Sequence, residues 1–329
     1  MIKTKITEML GIQHPIICGA MMYLCKPELC AAISNTGGMG NLTAAMYETE
    51  EDFRGAISQI RELTDKPFMV SITMLPAFRI TTEHYKMYFD VCAQEQIAGI
   101  EVSGLPVDKG VGVEYVEKCK KAGVKLFHKV GSVRHAKHAA KVGYDGIYAA
   151  GIEEGGHPLD DDVTTMLLTP RIVEEVDLPV VTVGGISNGI SLAAALALGA
   201  EGVMMASRFL ATKECQVHDN FKNELVRRQE YDTTLISKTL GLQARSLKNA
   251  AAAKVLELEA RGATFEEIVA VISGDRMKEA WVTGDVDASP IGIGQSIGLI
   301  HDVPTCQELI DRMVKQAEEQ IGKLNAKVH

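Results

Sequence analysis

The sequence predicts an α/β fold: a (β/α)8 TIM barrel with a small helical insertion after its eighth strand. Three observations predict it. Short apolar or β-branched runs recur eight times before residue 210, each followed by a stretch with helical spacing. The runs are nearly continuously apolar, as in VVTV and VMMA, which is the pattern of parallel strands buried on both faces. Eight such pairs close a barrel, whereas a doubly wound open sheet, the rival arrangement, is normally complete with about six strands.

Taken in order, the strands are read at 15–20 (PIICGA), 39–44 (MGNLTA), 68–74 (FMVSITM), 99–104 (GIEVSG), 125–131 (KLFHKVG), 146–152 (GIYAAGI), 179–185 (PVVTVGG) and 202–209 (GVMMASRF). Between them, helices such as 28–35, 51–63, 133–141 and 190–198 are built from good helix formers with apolar residues three and four apart. The uncharged run 178–200 is long enough to raise the question of a membrane span. Pro179, Gly184-Gly185 and Ser187-Asn188-Gly189 break it, and it reads as strand, turn and helix. After the eighth strand the pattern changes to a long helical region, 219–280, rich in Ala, Leu, Glu and Lys. The glycine-bearing segment GDVDASPIGIGQSIG (284–298) and an amphipathic helix from Thr305 follow. The expected organisation is therefore a barrel over 1–215, a helical subdomain over 216–283 and a C-terminal segment, 284–329, that returns to the barrel.

Composition narrows the function. With 46% hydrophobic and 23% charged residues and 30 glycines, the chain has the balance of a compact enzyme. A formal charge of -9 and the lack of basic clusters interleaved with aromatics argue against nucleic acid. The N-terminus MIKTKITEML carries no export signal, so a cytoplasmic location is expected, with no membrane partner. Seven scattered cysteines without a C-x-x-C pair indicate neither a disulfide framework nor a zinc site; they are expected to be buried thiols.

In a (β/α)8 barrel the chemistry lies in the loops after the strands, and phosphate is commonly held after strands 7 and 8. Strand 7 ends in Gly184-Gly185-Ile186-Ser187-Asn188-Gly189, where glycines admit an anion to backbone N–H groups and Ser187 or Asn188 caps the next helix. Strand 8 ends in Ala206-Ser207-Arg208, which adds a hydroxyl, amides and a cation, so the paired loops predict one phosphate site. Strand 6 leads into GIEEGGHPLDDD (151–162), whose His157 is either an acid, base or hydrogen-bond donor or a plain surface histidine. Lys129, at the end of strand 5, either faces the electron-rich edge of a bound cofactor or is salt-bridged. Asp160, Asp161 and Asp162 offer oxygen ligands, but a charge run before an apolar helix reads as a capping and solvated segment, and no metal is expected.

The segments PIICGAMM, AAISNTGGMGNL, HKVGSVRHAKHAAKVGYDGI, GIEEGGHP, TVGGISNGISLAAALALGAEGVMMASRFLAT and GDVDASPIGIGQSIGLI resemble the successive signatures of the 2-nitropropane dioxygenase-like flavoproteins. That group contains nitronate monooxygenases, NADH:quinone reductases and flavin-type enoyl-acyl carrier protein reductases. The resemblance implies non-covalent FMN, its phosphate on Gly184, Gly185, Ala206 and Ser207. Backbone of Gly19, Ala20 and Met21 would lie along the ring system, with Ser71, Lys129, Gly151 and Gln295 completing the cofactor set and His157 as the active-site residue. The chain departs from the family at Ser71, where Asn is frequent. It also has Cys18-Gly19-Ala20 for the usual Gln-Gly-Gly and Ala206-Ser207 for the usual Gly-Thr, which keeps a hydroxyl.

The expected function is an FMN-dependent oxidoreductase that passes hydride from NADH or NADPH to an enone, an enoyl compound or a quinone. Nitronate monooxygenase is the alternative, and a non-redox barrel enzyme acting on a phosphorylated metabolite the remote one. The expected partner is a small-molecule acceptor; a homodimer is the candidate assembly, and 219–280 is expected to contact substrate or a second subunit.

Overall fold

A computed structural model describes residues 2–75, 79–159 and 161–328. Eight parallel strands form one sheet: β1 (Ile16–Cys18), β2 (Gly40–Thr43), β3 (Phe68–Met74), β4 (Gly99–Gly104), β5 (Lys125–Val130), β6 (Gly146–Ala150), β7 (Val180–Val183) and β8 (Gly202–Met205). Neighbours in space are neighbours in sequence, and β1 also pairs with β8 through Ile16↔Val203, Ile17↔Met204 and Cys18↔Met205. A parallel bridge between Ile17 and Met39 joins β1 to the start of β2. The sheet thus closes on itself, which decides against the open doubly wound arrangement.

Helix α1 (Lys5–Leu10) precedes the barrel, and its Ile6 and Leu10 join Met39, Met69, Phe127, Tyr148, Val181 and Met204 in one buried cluster inside the strands. Between strands lie α2 (Pro27–Asn35), α3 (Glu50–Leu63), α4 (Thr82–Gln94), α5 (Val107–Gly110), α6 (Glu114–Ala122), α7 (Val133–Val142), α8 (Thr165–Glu175) and α9 (Gly189–Ala197). Their starts follow side-chain caps: Thr49 accepts from Asp52 N at 3.1 Å and Asn188 from Ser191 N at 2.9 Å. The run 178–200 resolves into β7, a turn and α9. No helix among the described residues is long and apolar enough to cross a membrane. All seven cysteines are free and buried.

After β8 come α10 (Ser207–Leu210), α11 (Asp219–Arg227), β9 (Thr233–Ile236), β10 (Ala244–Leu247), α12 (Ala250–Ala260), α13 (Phe265–Ile272), α14 (Gly274–Thr283) and α15 (Cys306–Asn325). This region is mainly helical, with one difference from expectation. An antiparallel hairpin of β9 and β10 interrupts 219–280, where Thr233, Thr234 and Ile236 favour extended backbone and Ser237 and Gly241 take left-handed conformations at its turn. Helix α15 packs against α9 so closely that a Cβ on Gly189 would overlap the Met313 carbonyl and Gln316, while Gly189 N donates to Gln316 Oε1 at 3.1 Å. Arg208, 1% exposed, donates to Asp302 Oδ1 at 3.1 Å, and Arg312 of α15 reaches the same carboxylate at 2.6 Å. The cation predicted beside the phosphate loop is therefore committed to the C-terminal segment.

Gly189→Ala should lower stability by ~1–3 kcal/mol through overpacking. By contrast, Gly55→Ala, on an exposed α3 position with open space around the new Cβ, should raise stability by ~0.5–1 kcal/mol. Calorimetric melting of both variants checks this; equal melting temperatures would contradict the described α9–α15 contact.

Candidate active site

Strand alternation sets what the barrel mouth contains. Two residues beyond the buried Met39, Met69 and Phe127, the same inward faces carry Asn41, Ser71 and Lys129, and β4 contributes Glu101 in register with Ser71. The interior thus turns from apolar to polar toward the C-terminal ends of the strands. Asn41 Nδ2 donates to Glu101 Oε2 at 2.7 Å and to the Cys18 carbonyl at 3.1 Å, and Ser103 Oγ donates to Glu101 Oε1 at 3.0 Å. Asn41 Oδ1 and Ser71 Oγ are buried without a hydrogen-bond partner. Buried polar atoms are ordinarily satisfied, so two orphans at one mouth mark a place for a ligand.

Lys129 is the cation of this mouth. Its ammonium donates to Glu154 Oε1 at 3.0 Å and to the His157 carbonyl at 3.4 Å. Burial pulls its pKa down, but Glu154 and Glu101 outweigh that and hold it above the ordinary lysine value. Burial pushes the Glu154 carboxyl up, against the pull of Lys129. Of the two readings of Lys129, the structure places it in a salt bridge, at the rim of the site.

The two loops for which the sequence predicts a phosphate follow neighbouring strands, β7 and β8. Gly184 and Gly185 have φ of +97° and +75°, the left-handed region where a side chain is strained. A Cβ on Gly185 would meet nothing within 4 Å, and a cavity of about 260 Å³ opens there against Glu230, Gln295, Ser296, Gly298 and Leu299. Asn188 caps α9, which leaves Ser187 Oγ buried and unpartnered beside the helix N-terminus. Ser207 Oγ accepts from Gly294 N at 3.1 Å and so ties the β8 loop to the C-terminal segment. At the end of β1, Gly19 abuts Ala206, whose Cβ would lie 3.2 Å from a Cβ on Gly19. Ala20 and Met21 follow half-buried, and Met21 N donates to Cys25 Sγ at 3.3 Å.

The loop after β6 is held from several sides. Gly151 carries no side chain because a Cβ there would overlap Thr165 and Glu153. Glu153 accepts from Thr165 N at 3.0 Å and so satisfies the start of α8, a role the sequence suggested for the aspartates instead. Asp161 and Asp162 are exposed, and Asp160 lies outside the described residues. Among the described residues no group of three or more His, Cys, Asp or Glu side chains could hold a metal ion. Gln295 N donates to Glu153 O at 2.9 Å, which brings Gln295 to the same loop. His157 is exposed, yet crowding by the surrounding protein and, secondly, the Lys129 ammonium lower its pKa to about 4. Because the ring is also reached by water, what matters is its charge: at any pKa between that value and the ordinary ~6.5, the imidazole is neutral at pH 7.

Gly19, Ser71, Lys129, His157, Gly184, Gly185, Ala206, Ser207 and Gln295 thus stand around one mouth. Sequence reasoning missed Asn41, Glu101 and Glu154, and also Arg245, whose Nε donates to the Ile152 carbonyl of the loop after β6 at 2.8 Å. A charged residue inside the apolar run GIEVSG was a usable signal for Glu101, and Asn41 falls on the inward phase of its strand. Arg245 carried no local signal.

Residues 3–316 match the family described as nitronate monooxygenase. The chain is 33% identical to the (3aS,4S,5R,7aS)-5-hydroxy-7a-methyl-1-oxo-octahydro-1H-indene-4-carboxyl-CoA dehydrogenase of Rhodococcus jostii, over 99% of this chain and 98% of that one. It is 29% identical to a probable nitronate monooxygenase of Staphylococcus saprophyticus, over 98% and 99% of the two chains. The structure of FabK from Thermotoga maritima superposes with a TM-score of 0.91 at 32% identity, covering 99% of this chain and 100% of that one. With the barrel, the polar mouth and these likenesses together, the chain belongs to the nitronate monooxygenase family of oxidoreductases.

Proposed function

We propose that the protein is an FMN-dependent oxidoreductase that passes hydride from NADH or NADPH to an electron-poor acceptor, the activated C=C of an enone or enoyl compound or a quinone. The charge balance of the mouth carries this reading. Among the described residues there, the Lys129 ammonium faces the Glu154 and Glu101 carboxylates and His157 is neutral, so no excess positive charge awaits an anionic nitronate. A neutral acceptor that becomes negative only as it reacts suits such a site better. The likenesses to a CoA-ester dehydrogenase and to FabK, at 33% and 32% identity, support the same choice. Family membership leaves the non-redox use of the phosphate cradle without support.

The residues fit the cofactor. Ser187 Oγ is an orphaned donor beside the N-terminus of α9, and Gly185 leaves open space in front of it, as a phosphate requires. Ser207 supplies a second hydroxyl, with Gly184 and Ala206 beside it. Backbone at Gly19, Ala20 and Met21 forms one wall, and the unpartnered Ser71 and Asn41 atoms offer polar contacts for a ring edge. Lys129, Gly151 and Gln295 shape the remaining side. FMN bound there would supply the hydride chemistry. His157 would donate a hydrogen bond from its neutral ring to the acceptor oxygen as charge develops, and the Lys129–Glu154 pair holds that loop by the His157 carbonyl.

The purified protein should be yellow, and anaerobic NADH or NADPH should bleach it within turnover time. Crotonyl-CoA, 2-cyclohexenone or menadione should then restore the colour. Bleaching by propyl-2-nitronate and not by either nicotinamide would establish the monooxygenase reading instead, and a colourless protein that takes up no FMN would end both. At the phosphate loop, Gly185→Ala and Gly185→Asp share the backbone strain of a positive φ, but only Asp adds a carboxylate where the anion sits. FMN should stay with the first and dialyse from the second; retention by both would count against this loop.

His157→Ala should keep FMN and slow the acceptor step ~10²- to 10⁴-fold. Because the folded pKa is lowered, the donor form is already the neutral ring above about pH 5. The wild-type acceptor step should therefore stay flat from pH 6 to 8. A rate that falls tenfold per unit above pH 6.5 would show an imidazolium donor and defeat this assignment.

A further inference from the structure

The loop that carries His157 does not determine its own shape. Gly155 and Gly156 precede the histidine, and Gly156 has a φ of +82°, so the local sequence permits many courses for the chain. Its position comes from elsewhere. Gly156 N donates to the Arg245 carbonyl at 3.1 Å and Arg245 N to the Gly156 carbonyl at 2.6 Å, an antiparallel bridge on the edge of β10 that β9 does not use. The Arg245 side chain turns back along the same loop: Nε donates to the Ile152 carbonyl at 2.8 Å and Nη1 to Thr233 Oγ1 of β9 at 3.1 Å.

One residue therefore grips both ends of the segment 152–156, by side chain at Ile152 and by backbone at Gly156. We propose that Arg245 is a positioning residue for His157, and that the hairpin of β9 and β10 is thereby the scaffold of the active site rather than an accessory to it. This rests on the reading that His157 meets the acceptor.

The surroundings show why this site needs an arginine and why the clamp is stiff. Arg245 is 7% exposed, and its planar fork bonds a carbonyl and a hydroxyl in fixed directions, which a lysine ammonium cannot do at once. Removal of the fork leaves the Ile152 carbonyl short of its donor in a buried setting. On the opposite side the loop has no room to retreat, because a Cβ on Gly155 would fall 2.6 Å from Gly294 N and from Ile293 C. The next residues of β10 continue the ladder, with Leu247 N donating to the Ile291 carbonyl at 2.8 Å and Ser246 Oγ accepting from Ile291 N at 3.0 Å. Among the described residues, the charged groups acting around the loop include Lys129 of β5, Glu153 and Glu154 of the loop itself, Asp162 beyond it and Arg245.

The test is an NMR titration of histidine-labelled protein, with the His157 signal identified by its loss in His157→Gln, beside stopped-flow rates on the holoenzyme. The acceptor probe is whichever of crotonyl-CoA, 2-cyclohexenone and menadione reoxidises the wild type fastest. Arg245→Met should move the His157 pKa upward toward the ordinary ~6.5 as the ring leaves the crowding and the Lys129 ammonium that hold it down. The acceptor step should slow about 10- to 10²-fold, as for a reacting group displaced by roughly 1 Å. Bound FMN and the rate of reduction by nicotinamide should stay within about twofold. Arg245→Lys should fall between Arg245→Met and wild type on both readouts. A folded Arg245→Met protein with the wild-type His157 titration and acceptor rate overturns the proposal. If that variant fails to fold, Thr233→Val and Arg245→Lys decide, and an unchanged His157 titration in both overturns it equally. Should His157→Gln keep the full acceptor rate, the catalytic reading of the histidine fails, whereas the titrations still judge the clamp.

Discussion

Closure of the sheet between β1 and β2 is the constraint on which everything else in this molecule depends. It is made by the Ile17–Met39 bridge, with Cys18 N donating to the Met39 carbonyl and Met39 N to the Ile16 carbonyl, both at 2.9 Å. An open sheet would leave those groups as unpaired edges. Once closed, the eight strands have two ends and one interior. The apolar end is filled from below by Ile6 and Leu10 of α1, and the polar residues of the strands are left to gather at the other. Asn41 illustrates the dependence directly, since it donates to Cys18 across the closing seam and to Glu101 across the barrel.

What gathers at that end is a site without excess positive charge, one ammonium among the Glu154 and Glu101 carboxylates. Burying Lys129 alone would be strongly unfavourable, and Glu154 is the partner that offsets it. The pairing also joins β5 to the loop after β6, and the same ammonium that Glu154 neutralises holds the backbone of its histidine. The glycine backbone and hydroxyls after β7 and β8, which are proposed to hold the phosphate, would do so without Arg208, because that cation is spent on Asp302. On the proposed reading, a cofactor anion on one side and a neutral histidine on the other leave the middle for an uncharged acceptor.

The additions after β8 complete this arrangement instead of decorating it. β10 offers one edge to β9 and the other to Gly156 and Ile291, so the hairpin, the histidine loop and the C-terminal segment form one ladder over the mouth. Ser207 ties that ladder to the loop after β8 through Gly294 N, and Gln295 N ties it to the histidine loop through the Glu153 carbonyl. Elements distant in sequence meet here because each has backbone groups that the barrel itself leaves unpaired.

The sequence by itself determined the barrel and the strand-end loops in which the site is proposed. Doubly buried parallel strands need near-continuous apolar runs, and a run such as VVTV records that need locally; the same holds for the cap at Asn188 and for the glycines at 184 and 185, whose φ values side chains resist. His157 was visible as a loop histidine, but not its neutral state, which follows from Lys129 and the crowding around it. Tertiary structure alone decided the pairing of Lys129 with Glu154, the inward gathering of Asn41 and Glu101, the hairpin within an otherwise helical region, and the grip of Arg245 on Ile152 and Gly156. The physical reason is common to all of these. A strand's burial and a turn's left-handed backbone are properties of a few consecutive residues, whereas a charge or a hydrogen bond takes its meaning from a partner that the fold brings up, 8 to 14 positions away in the hairpin and 25 to 93 in the others.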